Sequence, residues 1–142
     1  MNYSMRRSID VDFRFWILTA LFLLTIPLRW FFAAVIAAAV HELGHIAAVE
    51  LLGAEITEVQ IGAGGAKLCA SPLSRNRGII CVLAGPAASL MLMLFARVMP
   101  RVAICGLVQG VYNLLPIYPL DGGKALRMLC AALREVRKLH AG

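Results

Sequence analysis

The chain has 142 residues, of which 61% are hydrophobic and 15% charged, and its net charge is +6. A soluble domain carries about a quarter charged residues, so this composition points to an integral membrane protein and away from an ordinary soluble one. No basic patch is interleaved with aromatics, which argues against a nucleic-acid partner.

The opening stretch, MNYSMRRSIDVDFRFWILTALFLLTIPLRW, joins an arginine pair to an apolar run. No small-x-small site follows, since Pro27, Leu28, Arg29 and Trp30 come instead. The stretch therefore reads as a retained first span and not as a cleaved leader. Its apolar part, Phe15 to Leu28, is short against the ~20 residues that a span needs. It either draws in Phe13 and snorkels Arg14, or lies half-embedded.

The second apolar segment, Trp30 to Leu52, is long enough to cross, and Gly53 is its expected stop. A polar interval, 54–78, comes next. Within it Ile56, Val59 and Ile61 are interleaved with Thr57, Glu58 and Gln60, and Gly62, Gly64 and Gly65 supply a turn, so a β-hairpin is expected. GAGGAK lacks the spacing of a phosphate loop and reads as a flexible turn.

The third span is Ile79 to Val98. Gly85 and Pro86 predict a kink or a broken hydrogen bond inside it. Ala84, Ala88 and Ser89 are small, which allows a neighbouring helix to approach closely. A fourth apolar run, Val102 to Leu115, breaks at NLLPIYPLDGG, Asn113 to Gly123. The last segment, Lys124 to His140, repeats leucines at helical spacing, with Arg127, Arg134, Arg137 and Lys138 around them. It is expected to be an amphipathic helix at the membrane surface, the alternative being a plain soluble tail.

The expected architecture is thus an all-α polytopic membrane protein, one domain over 1–142. It has about four transmembrane helices, a small β-hairpin between the second and third, and a C-terminal surface helix. With four crossings and a cytoplasmic N-terminus, only Arg29, Arg97 and Arg101 face outward. The other eleven of the 14 lysines and arginines then face the cytoplasm, the bias expected of membrane topology. Both termini are placed on the cytoplasmic side of the cell membrane. Cys69, Cys81, Cys105 and Cys130 form no C-x-x-C pair and receive no function.

The chemistry concentrates in AAAVHELGHIAAVELLG, Ala37 to Gly53. On a helix His41 and His45 are separated by about 40° in azimuth and ~6 Å along the axis, so both imidazoles reach one metal ion. Glu42 sits beside such an ion without ligating it, placed to take a proton from water. On a soluble surface helix H-E-x-x-H is often accidental. Three ionisable residues inside five positions of an apolar span are not, because each costs several kcal/mol to insert without a partner. Zinc needs a third protein ligand and an open position. Asp121 is the best candidate among the remaining acids, after a run broken by Pro116 and Pro119, where irregular backbone lines a cavity. Gly122 and Gly123 let the main chain approach a crowded site. Taken alone, Asp121 reads as the N-cap of the last helix; paired with the histidines it reads as a ligand.

HELGH in one span, AGPAAS in the next and NLLPIYPLDGG after that resemble the site-2 protease family of intramembrane zinc metalloproteases, from about Val40 to Lys124. The compact bacterial group within that family is the nearest in overall shape, since no inserted PDZ-like domain is present. The resemblance implies one zinc ion on His41, His45 and Asp121, with Glu42 as general base and later proton donor. Asn113 would hold substrate or stabilise the oxyanion, the alternative being a hydrogen bond at a helix end. Glu55 to Ser71 resembles a membrane-associated hairpin that pairs with an unwound substrate strand. Gly85 and Pro86 would shape packing. The implied substrate is a single-span membrane protein or membrane-tethered regulator in the lipid bilayer, with room for a regulatory membrane subunit. The rivals are a catalytically inactive metal-binding relative that holds clients, a metal transporter, and a structural subunit with an accidental H-E-x-x-H.

Overall fold

The computed structural model describes residues 9–11, 17, 21, 24–54, 56–62, 65–70 and 74–139. In chain order it contains strand β1 (Ile9–Val11), helix α1 (Leu28–Leu51), strands β2 (Ile56–Gly62) and β3 (Gly65–Ala70), and helix α2 (Arg75–Met91). A 3-10 turn (Leu92–Phe95), helix α3 (Pro100–Asn113) and helix α4 (Asp121–Leu139) follow. The expected first span, Phe15 to Leu28, lies largely outside the described residues.

Local chemistry sets most boundaries. Helix α1 starts just after Pro27, whose carbonyl accepts from the amides of Trp30 and Phe31. It ends in a Schellman arrangement. Gly53 adopts φ +71, its N–H donates to Glu50 O at 3.0 Å, and the Ala54 N–H donates to Val49 O at 3.0 Å. A glycine enters that left-handed conformation without a Cβ penalty, which is why the helix stops there. Pro100 opens α3, where its missing N–H costs nothing.

Helix α2 begins at Arg75, four residues before the apolar run itself, and stays helical through Pro86. The break expected there takes the form of one lost hydrogen bond, because proline brings no N–H to the carbonyl four residues back. Helix α4 starts at Asp121 and not at Lys124. Gly122 and Gly123 belong to its first turn, where helix propensity matters less than close approach.

Helix α1 packs against α2 and α3, α2 against α3 and α4, and α1 also touches β3. The burial pattern is inverted relative to a soluble bundle. The buried positions include Ala33, Ala37, Ala48, Gly85, Ser89, Ala103, Gly106 and Gly110. Leu24, Leu51, Leu94 and Val98 are exposed, at 75% or more each. Small residues inside and large apolar residues outside suit helices that pack by close backbone approach and face lipid. At Gly44 a Cβ would sit 2.7 Å from Ala84 O and 2.7 Å from the Ala88 Cβ, so α1 and α2 meet backbone to backbone.

Two helical stretches, Leu28–Leu51 and Arg75–Phe95, are long and apolar enough to cross a membrane. The 14 residues of α3 rise about 21 Å, short of the ~30 Å hydrocarbon layer. Among the described residues the expected four crossing helices thus become two of sufficient length.

Strands β2 and β3 pair antiparallel from Ile56↔Ala70 to Gly62↔Gly65, with an irregularity between Ile56 and Glu58. Strand β1 pairs in parallel with β2 through Ile9↔Val59, Asp10↔Gln60 and Val11↔Ile61. This third strand was not expected. Three residues carry too little alternation to signal a strand, and the pairing spans 50 positions, so only the folded chain reveals it.

Candidate metal centre

His41 and His45 stand one turn apart in the middle of α1. The structure brings Asp121, the first residue of α4, to both rings. His41 Nε2 to Asp121 Oδ2 is 3.2 Å, His45 Nε2 to the same oxygen is 3.2 Å, and the two Nε2 atoms are 3.2 Å apart. The three atoms form an equilateral triangle, with His41 and Asp121 buried and His45 partly so.

Helix α2 runs antiparallel to α1 and presents a stripe at four-residue spacing: Cys81, Gly85 and Ser89, all buried. Each meets the histidine pair differently. The Cys81 carbonyl accepts from His45 Nδ1 at 2.8 Å. Gly85 makes room for the same ring, since a Cβ there would fall on His45 Nε2. Ser89 Oγ lies 2.9 Å from His41 Nδ1. On the opposite side of the triangle Lys124 Nζ donates to Asp121 Oδ1 at 2.8 Å, which leaves Oδ2 to the imidazoles.

This donor set fits a metal ion. A carbonyl oxygen only accepts, so His45 Nδ1 carries a proton, and when the ring is neutral its Nε2 lone pair faces Asp121 Oδ2. Lone-pair atoms gathered at 3.2 Å repel one another unless a cation draws them together. Tetrahedral zinc, with ligands at about 2.0–2.1 Å, requires its ligand atoms ~3.3 Å apart. The observed edge meets that requirement. The outer contacts match too, because imidazole ligands are commonly oriented by a carbonyl, hydroxyl or carboxylate on the far ring nitrogen.

Glu42 follows His41 directly on α1. It is half-buried, and its Oε2 is sealed from solvent. It is not one of the three atoms of the triangle. Asp121 is the first residue inside α4 and not its N-cap, because the Lys124 N–H donates to Leu120 O. A carboxylate in that first turn suits the helix dipole, and it closes the triangle. Asn113 does not share this grouping. Its side-chain amide donates to Gln109 O at 3.1 Å, the helix-end hydrogen bond that was the alternative to a role in substrate binding.

The approach of α4 depends on its glycines. A Cβ on Gly122 would fall on the Leu114 carbonyl, and one on Gly123 on the backbone of Ile117. The turn after α3 therefore nests against the start of α4, and Asp121 is held by main-chain contact. Arg127 lies over the Tyr118 ring, with 4.8 Å to its centroid, a second tie between that turn and α4.

Two contributors escaped the sequence reading. Ser89 passed as one more small residue for helix packing, and Lys124 as the first residue of a surface helix. The signal for Ser89 lay in its spacing, eight residues after Cys81 and four after Gly85 on one helix face. That spacing becomes informative only once α1 and α2 are in register.

Residues 73–141 match the family model "Peptidase family M50". The matched stretch takes in α2, Asn113 and Asp121, and the His41–His45 turn precedes it. Stage IV sporulation protein FB from Bacillus subtilis (strain 168) is 29% identical over 141 residues, covering 88% of this chain and 48% of that protein. The chain thus spans about half the length of the curated relative it matches. Among solved structures, the site-2 protease from Methanocaldococcus jannaschii aligns with a TM-score of 0.70 over 93% of this chain and 71% of that one, at 19% identity, a likeness of fold. The resemblance to the site-2 proteases drawn from the three motifs holds in all three comparisons.

Proposed function

We propose that this chain, a relative of the site-2 proteases through its peptidase family M50 region at residues 73–141, is an intramembrane zinc metalloprotease. It hydrolyses a peptide bond in or near the transmembrane segment of a membrane protein. The observation that carries this reading is the 3.2 Å triangle of His41 Nε2, His45 Nε2 and Asp121 Oδ2 inside a bundle whose outer faces are apolar.

Bound zinc would supply a Lewis acid that polarises the scissile carbonyl and lowers the pKa of water towards about 7. The chain's own groups supply the rest. Glu42 takes a proton from the attacking water at its carboxylate and later delivers it to the leaving amine. The Cys81 carbonyl and Lys124 fix the orientation of His45 and Asp121. The surrounding helices exclude bulk water, which strengthens each of these interactions. Asn113, at the end of α3, has an amide that turns from Gln109 O to the substrate backbone when a substrate enters. The hairpin β2–β3 offers a strand edge to an unwound substrate segment.

The topology belongs to the same reading: four membrane-embedded segments, both termini cytoplasmic, in the cell membrane. The substrate class is a single-span protein or membrane-tethered regulator, with a regulatory membrane subunit as a further partner.

The test is cleavage of a panel of single-span membrane reporters in proteoliposomes by the zinc-loaded chain and by Glu42→Gln. Cleavage by the native chain and its loss in the variant support the assignment. A native chain holding one zinc that cuts no reporter overturns the protease reading in favour of a client-holding relative, and undiminished cleavage by the variant removes Glu42 as the base.

A further inference from the structure

Ser89 is fully buried, with no exposed surface. It lies on α2 one turn beyond Gly85, on the stripe that meets the histidine pair of α1. Packing alone would be served there by alanine, as at the neighbouring Ala88. The hydroxyl is used for something else: it sits 2.9 Å from His41 Nδ1.

We infer that Ser89 is a positioning residue of the metal centre, whose hydroxyl accepts the Nδ1 proton of His41 and so turns the Nε2 lone pair of that ring into the triangle. The inference rests on the reading that His41, His45 and Asp121 hold zinc. The two rings differ in how their outer nitrogen is satisfied. His45 donates to a main-chain carbonyl, which the fold supplies whatever side chain stands at position 81. His41 depends on a side chain. Without that hydroxyl, the buried His41 Nδ1–H loses the acceptor that the structure gives it, and a buried donor left unmet is destabilising. The ring then gains by rotating or by moving its proton to Nε2, and either change removes the lone pair that a metal needs. Ser89 is thus a position outside the ligand set at which the loss of one hydroxyl weakens the metal centre.

The experiment is zinc and Co(II) titration of the purified full chain in detergent, native against Ser89→Ala, with the melting temperature of the metal-free proteins measured alongside. Ser89→Thr and Ser89→Val form a second, isosteric pair that differs only in the hydroxyl, so any cost of the added methyl cancels between them. The expected result is a loss of zinc affinity of about 10–100-fold in Ser89→Ala, the usual range for an outer-sphere partner. A changed Co(II) absorption band and a smaller loss in Thr than in Val should accompany it. Native zinc affinity in Ser89→Ala overturns the inference. So does an equal loss in Thr and Val, which would assign Ser89 to packing. A native chain that binds no zinc is a separate result: it removes the metal-centre reading itself, and the role of Ser89 with it.

Discussion

The ring of His45 occupies the space where Gly85 has no side chain. A Cβ on Gly85 would clash with His45 Nε2, the nitrogen that faces the triangle. The glycine on α2 and the histidine on α1 are therefore one feature, a ring and its socket, and the ring's other nitrogen is anchored one turn earlier by the Cys81 carbonyl.

Gly85→Ala should accordingly displace the His45 ring. Neither backbone can retreat easily, because α1 and α2 are also in contact at Gly44. Metal content should fall below one zinc per chain, and cleavage should drop by about 100-fold or more, the scale of an ångström misplacement at a reacting centre. Metal analysis of the purified variant beside a reporter assay checks this.

Glu42→Gln should separate binding from catalysis. The three ligand atoms are untouched, so zinc content should stay at one per chain. Proton transfer by a positioned side chain contributes typically ~10²–10⁴-fold, so cleavage should fall by about that factor. Zinc loss in parallel with activity would show that Glu42 supports the centre and does not act as the base.

Removing zinc with a chelator should destabilise the chain as well as inactivate it. A ligand present at about 1,000 times its dissociation constant stabilises the folded state by ~4 kcal/mol. With both rings neutral, removing the cation leaves the lone pairs of the three atoms at 3.2 Å facing one another. The melting temperature in detergent should fall on chelation and recover on adding zinc. An unchanged melting temperature, with zinc verified as removed, would contradict a metal held at this triangle.

Lys124→Met should have a smaller effect. Its side chain holds Asp121 Oδ1 at 2.8 Å but is more than a third exposed, so solvent screens the pair. Exposed pairs of this kind contribute about 0.2–1 kcal/mol, a factor of roughly 1.5–5. Zinc affinity should weaken within that range and be restored by Lys124→Arg. A loss as large as that of Asp121→Ala would mean that Lys124 has a role beyond clamping the carboxylate.

Much of this was legible in the sequence. The apolar segments identified α1 and α3 to within two residues at each end, whereas α2 begins at Arg75, before the expected Ile79, and gives way to a 3-10 turn after Met91, well before the expected Val98. Gly53 marked the end of α1. His41 and His45 were readable as a pair because their relation is local, fixed by the pitch of one helix. Asp121 was legible as a candidate from the broken backbone and paired glycines around it, and the resemblance to the site-2 proteases gave it the same place.

The tertiary structure decided what depends on register between helices. Asp121 reaches His41 across 80 positions, and Ser89 reaches it across 48. Neither distance follows from a periodicity, because a slide of one turn between α1 and α2 would carry Ser89 and Gly85 about 5.4 Å past the rings. The same holds for strand β1, which exists only by pairing with a segment 50 residues away. Sequence determined which side chains could bind a metal, since that is set by their chemistry and by one helix's own geometry. Only packing determined that they meet, because small residues between the helices fix a single register in which ring, socket, hydroxyl and carboxylate all coincide.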